Sequence, residues 1–575
     1  MREVWPKSYP AGVQSDIDLS EYANVNEMRA RTCRACIRPR WRMSSHLPGN
    51  PGKRFVGVPD DVSRETVKAY IVAAGPAPEP EVIISYCRQR LTNYKVPKLV
   101  QFRKRTAQEP DRQNSAARTA RRNGSIEGMR ALLTLTAEAA ARYLDGLEER
   151  SVSPSPEALG RLAELDEPMP ELPMDSRCVL ETLDRIGSPA TMGMAGRRYF
   201  GFVIGGSLPA ALAANWLAGA WDQCPGLFVA SPIGTVLEEV SLGWLLDVLK
   251  LPAGAGGAFV TGATVANFTA LAAARHSVLA RAGWDVEADG LFGAPPITVV
   301  VGEEAHPSVI KALGMLGLGR SRVIRVPVDR QGRMIASEMP PLRGPAIVCI
   351  QAGNVNTGSF DPAEEICARA HSSGAWVHID GAFGLWASAS PKYAHLTEGV
   401  DSADSWATDA HKWLNVPYDS GLAFVRDSAA LKRAMSLTAA YLPQGEHREP
   451  SQYTPELSRR ARGVEIWAAL KSLGRAGLAD LIERTCRLAR CFEDRLRKGG
   501  CEILNEVVLN QVLVSFGEPG RTRQVIESVQ RDGVCWCGPT EWQGRTAMRI
   551  SVSSWATRDE DVERSIAAIL CAAAS

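Results

Sequence analysis

Short apolar runs alternate with amphipathic segments through the middle of the chain. Apolar runs bounded by turn residues are typical of buried strands, whereas apolar residues at a spacing of three and four are typical of helices. The strands predicted in this way are 257–261, 297–301, 322–327, 346–351, 375–379, 405–408 and 421–426, with helices such as 265–283, 307–316 and 362–372 between them. Because strands and helices alternate, the sequence predicts an α/β fold with a mainly parallel seven-stranded sheet covered on both faces.

The pattern changes on either side of this region. Helical spacing dominates before it, and after it a long helix, short strands and a closing helix predict a smaller α+β domain. Near the N-terminus, strand-like and helix-like stretches predict a small α+β module followed by a polar linker. We therefore expect six segments, namely 1–54 without an assigned fold, 55–105 as the small module, 106–124 as the linker, 125–198 as a helical segment, 199–430 as the large domain and 431–575 as the small C-terminal domain.

Charge is distributed unevenly along the 575 residues. The whole chain carries a net charge of +2, but residues 1–125 contain 23 Lys and Arg against 12 Asp and Glu, so this part carries +11 and the remainder −9. A basic segment can bind nucleic acid. Aromatic side chains are sparse within it, however, so we interpret it as an ordinary basic module and expect no nucleic-acid partner.

The cysteines and the hydropathy argue against two other classes of protein. The 13 cysteines are scattered, and although Cys33 and Cys36 form a Cys-x-x-Cys and Cys535 lies close to Cys537, neither pair has a second pair at zinc spacing. We therefore expect no metal site and a reducing, cytoplasmic location. We find no signal peptide and no apolar stretch of membrane-spanning length, so we expect no membrane partner.

The stretch Asp409-Ala410-His411-Lys412-Trp413 lies between the last two predicted strands of the sheet. A lysine on a short loop between buried strands is desolvated, which favours its neutral amine. A neutral amine forms a Schiff base with an aldehyde such as pyridoxal phosphate. The alternative is an ordinary loop cation, and the residues at the other strand ends decide between the two.

Ligands of parallel α/β sheets bind at the carboxyl ends of the strands. This rule places the turn after Thr261, the loops at His306, Asn354 and Lys412, and the strand end at Asp380 on one rim. Each of these positions offers a group that pyridoxal phosphate requires, and each also has a simpler interpretation.

The turn at Thr264 offers backbone N–H groups and a hydroxyl to a phosphate, or is a plain helix N-cap. His306 can stack on a flat heteroaromatic ring, or is a surface histidine. Asp380 can pair with a protonated pyridine nitrogen, which makes the ring an electron sink, or caps a turn. Asn354 can donate to the phenolic oxygen of the cofactor, or serves a turn.

A set of motifs occurs in order along the chain: Phe200-Gly201-Phe202, Ser231-Pro232, Thr261-Gly262-Ala263-Thr264 with Ala266-Asn267, His306-Pro307-Ser308 with Lys311-Ala312, Gly353-Asn354 with Thr357-Gly358 and Asp361-Pro362, His378-Ile379-Asp380-Gly381-Ala382-Phe383, and Asp409-Ala410-His411-Lys412-Trp413. In these motifs the chain resembles the group II pyridoxal-phosphate-dependent amino-acid decarboxylases, the aromatic-amino-acid and glutamate decarboxylase group. The resemblance implies a type I aminotransferase-like fold, pyridoxal 5'-phosphate as cofactor, a homodimer with shared active sites, and decarboxylation of an L-amino acid to the amine and CO₂.

The resemblance also implies roles for individual residues. Lys412 would form the aldimine with the cofactor, Asp380 would pair with the pyridine nitrogen, and His306 would stack on the ring. A tyrosine would protonate the product, with Tyr453 as the first candidate and Tyr441 as the second. The implied cofactor-binding residues are Ala263, Thr264, His306, Asn354, Asp380, Ala382, Asp409, His411 and Lys412.

The chain departs from the family at two of these positions. Asp409 stands where asparagine or serine is usual in some members, and Asn354 replaces a threonine found in many. Beyond the motifs, we expect the arginines of the 458–462 segment to include a carboxylate or phosphate ligand, because Arg suits bidentate anion binding. The side-chain pocket would come from residues 200–204 and 221–224 and from Trp386, whose aromatic character only weakly favours an apolar substrate.

The small N-terminal module carries motifs of its own: Gly57-Val58-Pro59-Asp60, Glu65-Thr66-Val67-Lys68-Ala69, Tyr86-Cys87-Arg88, Arg90-Leu91 and Tyr94-Lys95-Val96-Pro97. Over these roughly fifty residues the chain resembles the C-terminal domain of acyl-CoA synthetases and related adenylate-forming enzymes. The Gly-Lys of that family is missing from residues 103–124, and no large nucleotide-binding domain precedes the module. We interpret it as a remnant or accessory module that does not adenylate.

Two alternatives to an amino-acid decarboxylase stay open. A type I fold does not determine which bond of the substrate breaks, so another pyridoxal-phosphate-dependent carbon–carbon lyase or aldolase is one of them. A fusion whose N-terminal module binds a regulatory ligand is the other.

Overall fold

The computed structural model describes residues 54–58, 66–71, 79–81, 84–85, 88, 99–102, 126–436 and 447–575. The chain divides into two units, one of residues 1–125 with 170–175 and one of residues 126–169 with 176–575. The first unit contains a three-stranded sheet of β1 (Arg54–Val58), β2 (Thr66–Ile71) and β3 (Leu99–Phe102). β1 runs antiparallel to β2, and β2 runs parallel to β3. A parallel pair needs a crossover, and the described residues 80–81, 84–85 and 88 between its strands are helical, as predicted.

The second unit follows the predicted alternation of helices and strands. Its helices are α1 (Ile126–Asp145), α2 (Pro156–Gly160), α3 (Ser176–Ala190), α4 (Pro209–Trp221), α5 (Pro232–Val248), α6 (Ala263–Arg281), α7 (Val286–Asp289), α8 (Pro307–Met315), α9 (Ala363–Ser372), α10 (Ser428–Met435), α11 (Gly463–Lys498), α12 (Pro519–Asp532) and α13 (Asp559–Ala574). Its large sheet consists of β4 (Gly256–Val260), β5 (Thr298–Gly302), β6 (Ile324–Val326), β7 (Ala346–Gln351), β8 (Trp376–Asp380), β9 (Ser405–Asp409) and β10 (Gly421–Val425).

The large sheet has the order β4-β10-β9-β8-β7-β5-β6. β10 runs antiparallel to both of its neighbours, and the other pairs are parallel. The predicted mainly parallel seven-stranded sheet and the type I aminotransferase-like fold are thereby confirmed. The carboxyl ends of β7, β8 and β9 lie side by side, which brings the residues at those ends to one edge.

Both faces of this sheet are buried except at the edge strand β6, because each of the other six strands divides its side chains between two apolar clusters. On β7, Val348 and Ile350 belong to one cluster, whereas Ile347 and Cys349 belong to the other. Alternate residues of a strand point to opposite faces, so a strand covered on both sides reads as a continuous apolar run. The second cluster also contains the small residues of α6, among them Ala266 and Ala270, which lets this helix pack closely on the sheet.

The C-terminal part forms a four-stranded antiparallel sheet in the order β11-β12-β14-β13, made of β11 (Glu502–Ile503), β12 (Gln511–Ser515), β13 (Gly538–Trp542) and β14 (Arg545–Ser551). The sequence pattern had indicated β11, β12, β14 and α13 but neither β13 nor α12. β13 buries only its ends, so its apolar signal is weak. α11 joins the two predicted helical stretches, with a non-helical Gly474 (φ 59°) between them. Among the residues described here, no helix has the length and apolar character that crossing a membrane requires.

Candidate active site

The Lys412 loop is held firmly between β9 and β10. The N–H groups of Ala410 and His411 both donate to the carbonyl of Ser420, at 3.1 and 3.2 Å. The Asn415 side chain donates to the carbonyls of Lys412 and Trp413, and the buried Trp413 ring donates to Thr485 of α11 at 3.0 Å. With its backbone bonded and its neighbour anchored in the core, the lysine has a defined direction.

Lys412 lies against a carboxylate. Its Nζ is 3.1 Å from Oδ2 of Asp409, and the side chains are 17% and 3% exposed. Oδ1 of Asp409 accepts the N–H of Ala263, the first residue of α6, at 2.6 Å, and lies 3.6 Å from Nε2 of His411. The structure therefore brings together four of the residues that the sequence assigned to the cofactor.

The turn into α6 is open toward this group. The helix begins at Ala263 with Gly262 as its N-cap and no side-chain cap, so the interpretation of Thr264 as a plain N-cap is wrong. A Cβ at position 421 would lie 2.4 Å from the Cα of Gly262, so Gly421 lets β10 approach the start of α6 closely. The start of a 19-residue helix, with its N–H groups, thus faces His411 and Asp409.

His411 has one defined tautomer and an aromatic neighbour. Its Nδ1 accepts the N–H of Ser420 at 3.2 Å, which leaves the ring proton on Nε2. Burial lowers the pKa of His411, and the Asp409 charge opposes this shift. The Tyr418 ring stacks on the imidazole with centroids 4.2 Å apart. Burial, assisted by the Asp409 charge, raises the pKa of Tyr418 to about 12, so its hydroxyl keeps its proton. The sequence reasoning had missed Tyr418, because nothing local to it marks a site.

Asp380 ends β8 and is 4% exposed. Its Oδ1 accepts the N–H of Ala382 at 3.2 Å, and its Oδ2 lies 3.4 Å from both Nδ2 of Asn267 and Oγ of Ser308. No ion pair of Asp380 is found in the part of the chain that the structure describes. A buried carboxylate is costly unless it is paired, so this site is suited to a cationic ligand.

His306 lies at the start of α8, beside both charged groups. Its Nδ1 accepts the N–H of Ser308 at 3.2 Å and lies 2.8 Å from the Ser308 hydroxyl, so the ring proton is on Nε2. Burial lowers the pKa of His306, the Asp380 charge opposes this, and the charges of Lys412 and Arg549 reinforce it. His306 is therefore a neutral ring, and the Ser308 hydroxyl lies between it and the Asp380 carboxylate.

Asn354 has contacts of the kind expected for a turn residue. Its Oδ1 accepts the N–H groups of Asn356 and Thr357, at 2.9 and 3.3 Å. Its Nδ2 is buried and has no hydrogen-bond partner among the described residues. The turn therefore uses the carboxamide oxygen, and the amide nitrogen lies close to Gly332.

The contacts of Tyr453 lie away from Lys412 and Asp380. Its ring carries the Arg448 guanidinium at 3.8 Å and packs against the apolar cluster of α6. The contacts within one chain thus do not join Tyr453 to the Lys412 group. Tyr441, the second candidate acid, lies outside the described residues.

The arginines of the 458–462 segment have partners within the chain. Arg459 forms a buried ion pair with Glu238 of α5 at 2.6 Å. Arg460 pairs with Glu465 at 2.7 Å, and Arg462 pairs with Asp419 at 3.1 Å. These guanidinium groups join α5, α11 and the loop after Tyr418, so the expectation of an anion ligand among them is not supported.

A different arginine reaches the loop after β7 that contains Asn354. Arg549 lies on β14, donates to the carbonyl of Val355 at 3.3 Å, and influences His306 electrostatically. Burial lowers the pKa of Arg549, and no ion pair of this residue is found within the described ranges. The sequence reasoning missed it because it is 137 positions after Lys412, on a strand of the other sheet.

The residues present fit pyridoxal phosphate. Lys412 supplies an amine, the uncapped start of α6 supplies phosphate donors, and Asp380 supplies a buried carboxylate without a cation. Buried polar atoms without a partner in the described structure, Asn354 Nδ2 and Ser420 Oγ, lie in the turns after β7 and before β10. With its sheet topology, this group defines a pyridoxal-phosphate enzyme of the type I aminotransferase-like class.

Comparisons with known proteins specify the class further. The family model described as the pyridoxal-dependent decarboxylase conserved domain matches residues 160–517, and the AMP-binding enzyme C-terminal domain matches residues 55–109. Aromatic-L-amino-acid decarboxylase of Bacillus atrophaeus is 26% identical over 460 residues, covering 76% of this chain and 94% of that protein. Acidic amino acid decarboxylase GADL1 of Xenopus tropicalis is 31% identical over 324 residues, covering 54% and 62%.

A solved structure agrees in fold. The crystal structure of Oryza sativa TDC with PLP and tryptamine superposes with a TM-score of 0.73 at 22% identity, covering 78% of this chain and 98% of that one. The chain belongs to the pyridoxal-dependent decarboxylase family, whose model spans more than half of it. It is a pyridoxal-phosphate-dependent amino-acid decarboxylase, and the resemblance noted from its motifs is confirmed.

Proposed function

We propose that Lys412 holds pyridoxal phosphate covalently through Nζ and that Asp380 holds its pyridine nitrogen. The observation that carries this proposal is that Asp380 ends β8 and Lys412 follows the end of β9, the parallel strand beside it. The Ser308 hydroxyl lies within hydrogen-bond distance of both the His306 ring and the Asp380 carboxylate, at 2.8 and 3.4 Å. His306, a neutral ring, would cover the face of the cofactor.

The remaining residues would orient the other parts of the cofactor. The N–H groups at Ala263 and Thr264 and the Nε2–H of His411 would donate to the phosphate, with Asp409 holding the helix start. Asn354 Nδ2 would donate to the phenolic oxygen, and the Ala382 N–H keeps Asp380 turned toward the ring. When bound, pyridoxal phosphate withdraws the electrons of the bond to the departing carboxylate.

The test has two stages. Reduction of the purified protein with borohydride followed by peptide mapping should label Lys412, and a screen of amino acids for CO₂ release should find a substrate. Label on a different lysine, or on none, contradicts the role of Lys412. Breakdown of an amino acid without CO₂ would favour a carbon–carbon lyase or aldolase instead.

Arg549 is the cation that we propose for the substrate carboxylate. Its guanidinium has no carboxylate partner in the described ranges, and Arg binds carboxylates through two parallel hydrogen bonds. Arg549→Lys keeps the positive charge but cannot form the two parallel hydrogen bonds. KM should rise by roughly ten- to a hundred-fold in Arg549→Gln and less in Arg549→Lys, because a hydrogen bond to a charged group contributes about 1.5–3 kcal/mol. An unchanged KM in both variants would exclude this role.

Decarboxylation also requires a proton at the carbon that loses CO₂. We propose a tyrosine as the donor, with Tyr453 tested first and Tyr441 beside it. Phenylalanine removes only the hydroxyl, and loss of a general acid lowers kcat by about 10²- to 10⁴-fold. Tyr418→Phe is the matched comparison. It also removes only a hydroxyl, and it keeps the ring that stacks on His411. Wild-type kcat in both the Tyr453 and Tyr441 variants would show that neither is the donor.

We propose a homodimer with shared active sites as the assembly. Large apolar side chains are exposed on two neighbouring helices, namely Trp216, Leu217 and Trp221 on α4 and Ile233, Val236 and Val240 on α5. A patch of this kind on a folded chain indicates a protein interface. Leu217→Glu with Ile233→Glu should give a monomer by light scattering, whereas Phe292→Glu, at a 99% exposed position elsewhere, should not. A dimer that persists in the double variant would move the interface elsewhere.

We also propose the segment boundaries and a cytoplasmic location. The division at Ser125 and the match at residues 55–109 support a separate module at 55–105 that a linker joins to the enzyme. The ten described cysteines are all free, which suits a reducing compartment. Deleting residues 1–124 should leave kcat and KM nearly unchanged. Loss of activity in a deletion variant that stays folded and dimeric would instead favour a regulatory role of the module.

A further inference from the structure

A continuous row of buried hydrogen bonds ends on Asp380. Trp376, His378 and Asp380 alternate along β8 and so point to the same face of the sheet. Ser405 on β9 is the register partner of His378, and Asn267 on α6 covers that face. All five side chains are 5% exposed or less.

The donors and acceptors of this row run in one direction. The Trp376 indole can only donate, and its Nε1 lies 2.8 Å from Ser405 Oγ. The Ser405 hydroxyl has one other neighbour, Nδ1 of His378 at 2.9 Å, so it satisfies its proton by donating there. Burial lowers the pKa of His378 to about 3, so the ring is neutral and its one proton is on Nε2.

The direction of the row decides how the Asn267 amide is turned. Nε2 of His378 lies 2.9 Å from Oδ1 of Asn267, which therefore accepts. The amide nitrogen must then face the opposite way, toward Oδ2 of Asp380 at 3.4 Å and Oγ of Ser308 at 3.2 Å. A flipped amide would put its oxygen against the carboxylate and leave the buried Ser405 proton without an acceptor.

We propose that Asn267 and His378 are positioning residues, which turn a hydrogen-bond donor toward Asp380 and thereby hold its carboxylate oriented for the pyridine nitrogen. This inference rests on the proposed role of Asp380. It goes beyond that role, because neither Asn267 nor His378 would touch substrate or cofactor. Hydrogen bonding to the charged form of an acid favours that form.

The test compares Asn267→Leu, His378→Leu and the double variant with His276→Leu. His276, on α6, is also a buried histidine, but it contacts Glu287 and Arg433 and lies away from Asp380. It therefore serves as the matched control. Ser405→Ala, the smallest change in the row, remains informative if a leucine variant does not fold. The measurements are kcat, KM, the pH titration of the bound-cofactor absorbance, and urea unfolding.

We expect kcat to fall about 10- to 100-fold in Asn267→Leu and His378→Leu, as for other residues that orient a functional group, with KM nearly unchanged. The absorbance titration should shift in both, and in Ser405→Ala to a smaller extent. The kcat of the double variant should be no lower than that of the less active single variant, because the two residues act in series. In His276→Leu only stability should change.

Each other outcome has one meaning. Loss of stability with unchanged kcat and an unchanged titration in Asn267→Leu would overturn the inference and leave a structural network. Additive losses in the double variant would show that the residues act separately and would overturn it as well. A wild-type protein without absorbing cofactor on Lys412 would instead contradict the proposed function, so the two failures are distinguishable.

Discussion

Two neighbouring strands of the sheet end in buried carboxylates with opposite surroundings. Asp380, at the end of β8, has neutral donors only, from Asn267, Ser308 and the N–H of Ala382. Asp409, at the end of β9, has the Lys412 ammonium 3.1 Å away. The first carboxylate has no cationic partner among the described residues, whereas the second already balances the Lys412 ammonium.

This difference indicates that Asp380 binds a ligand, whereas Asp409 positions other residues of the chain. A buried charge needs a partner of opposite charge. Asp380 would have such a partner only when a cationic ring is bound. Asp409 is matched without a ligand, and it fixes Ala263, His411 and Lys412 relative to one another. Substitutions at the two strand ends should therefore have unequal effects.

Lys412→Ala should have the largest effect, because it removes the amine that carries the cofactor. We expect kcat to fall by about four to six orders of magnitude, as when a covalent nucleophile is removed. The measurement is CO₂ release, together with the absorbance of the purified protein. Residual activity within a hundred-fold of wild type would mean that the anchor is elsewhere.

Asp380→Asn should follow. Removing one member of a buried ion pair costs about 3–5 kcal/mol, which corresponds to a loss of roughly 150- to 5,000-fold in kcat/KM. Borohydride should still label Lys412, because the amine is untouched. Wild-type turnover would refute the pairing of Asp380 with the cofactor.

Asp409→Asn should have a smaller effect. The amide can still accept the Ala263 N–H, so the start of α6 stays in place. Only the charge opposite Lys412 is lost, and we expect kcat/KM to fall by about ten-fold, the worth of one charge-assisted hydrogen bond. A loss equal to that of Asp380→Asn, in the same assay, would remove the distinction between the two strand ends.

The smallest effect concerns acid stability beside Asp380. His378 takes up its proton only near pH 3 when folded, because of burial, but near pH 6.5 when unfolded. The stability that the neutral His378 ring contributes to the folded state is therefore fully present above pH 6.5 and is lost as the pH falls toward 3. Between pH 6 and 4.5 the free energy of unfolding should fall by about 1.4 kcal/mol per pH unit more in the wild type than in His378→Gln. Urea unfolding measures this, and equal slopes would contradict it.

Much of the fold could be predicted from local patterns. The seven strands of the large sheet were indicated because each is a short apolar run between turn residues. β13 was missed because its middle residues are not buried. At the site, Lys412, Asp380 and His306 could be predicted because each lies at the end of a strand or in the loop that follows one. Arg549 and Tyr418 carry no such local mark, and the Asn354 oxygen serves the turn that its neighbours already suggested.

The sequence by itself determined the order of strands and helices, the lysine between β9 and β10, and the carboxylate at the end of β8. These follow from local periodicity, which a short window contains. Only the tertiary structure decided the partner of each charge: Asp409 has Lys412, Arg459 has Glu238, and Asp380 has a row of neutral donors. Electrostatic partners depend on distance in space, and Asn267 and Asp380 lie 113 positions apart in the chain.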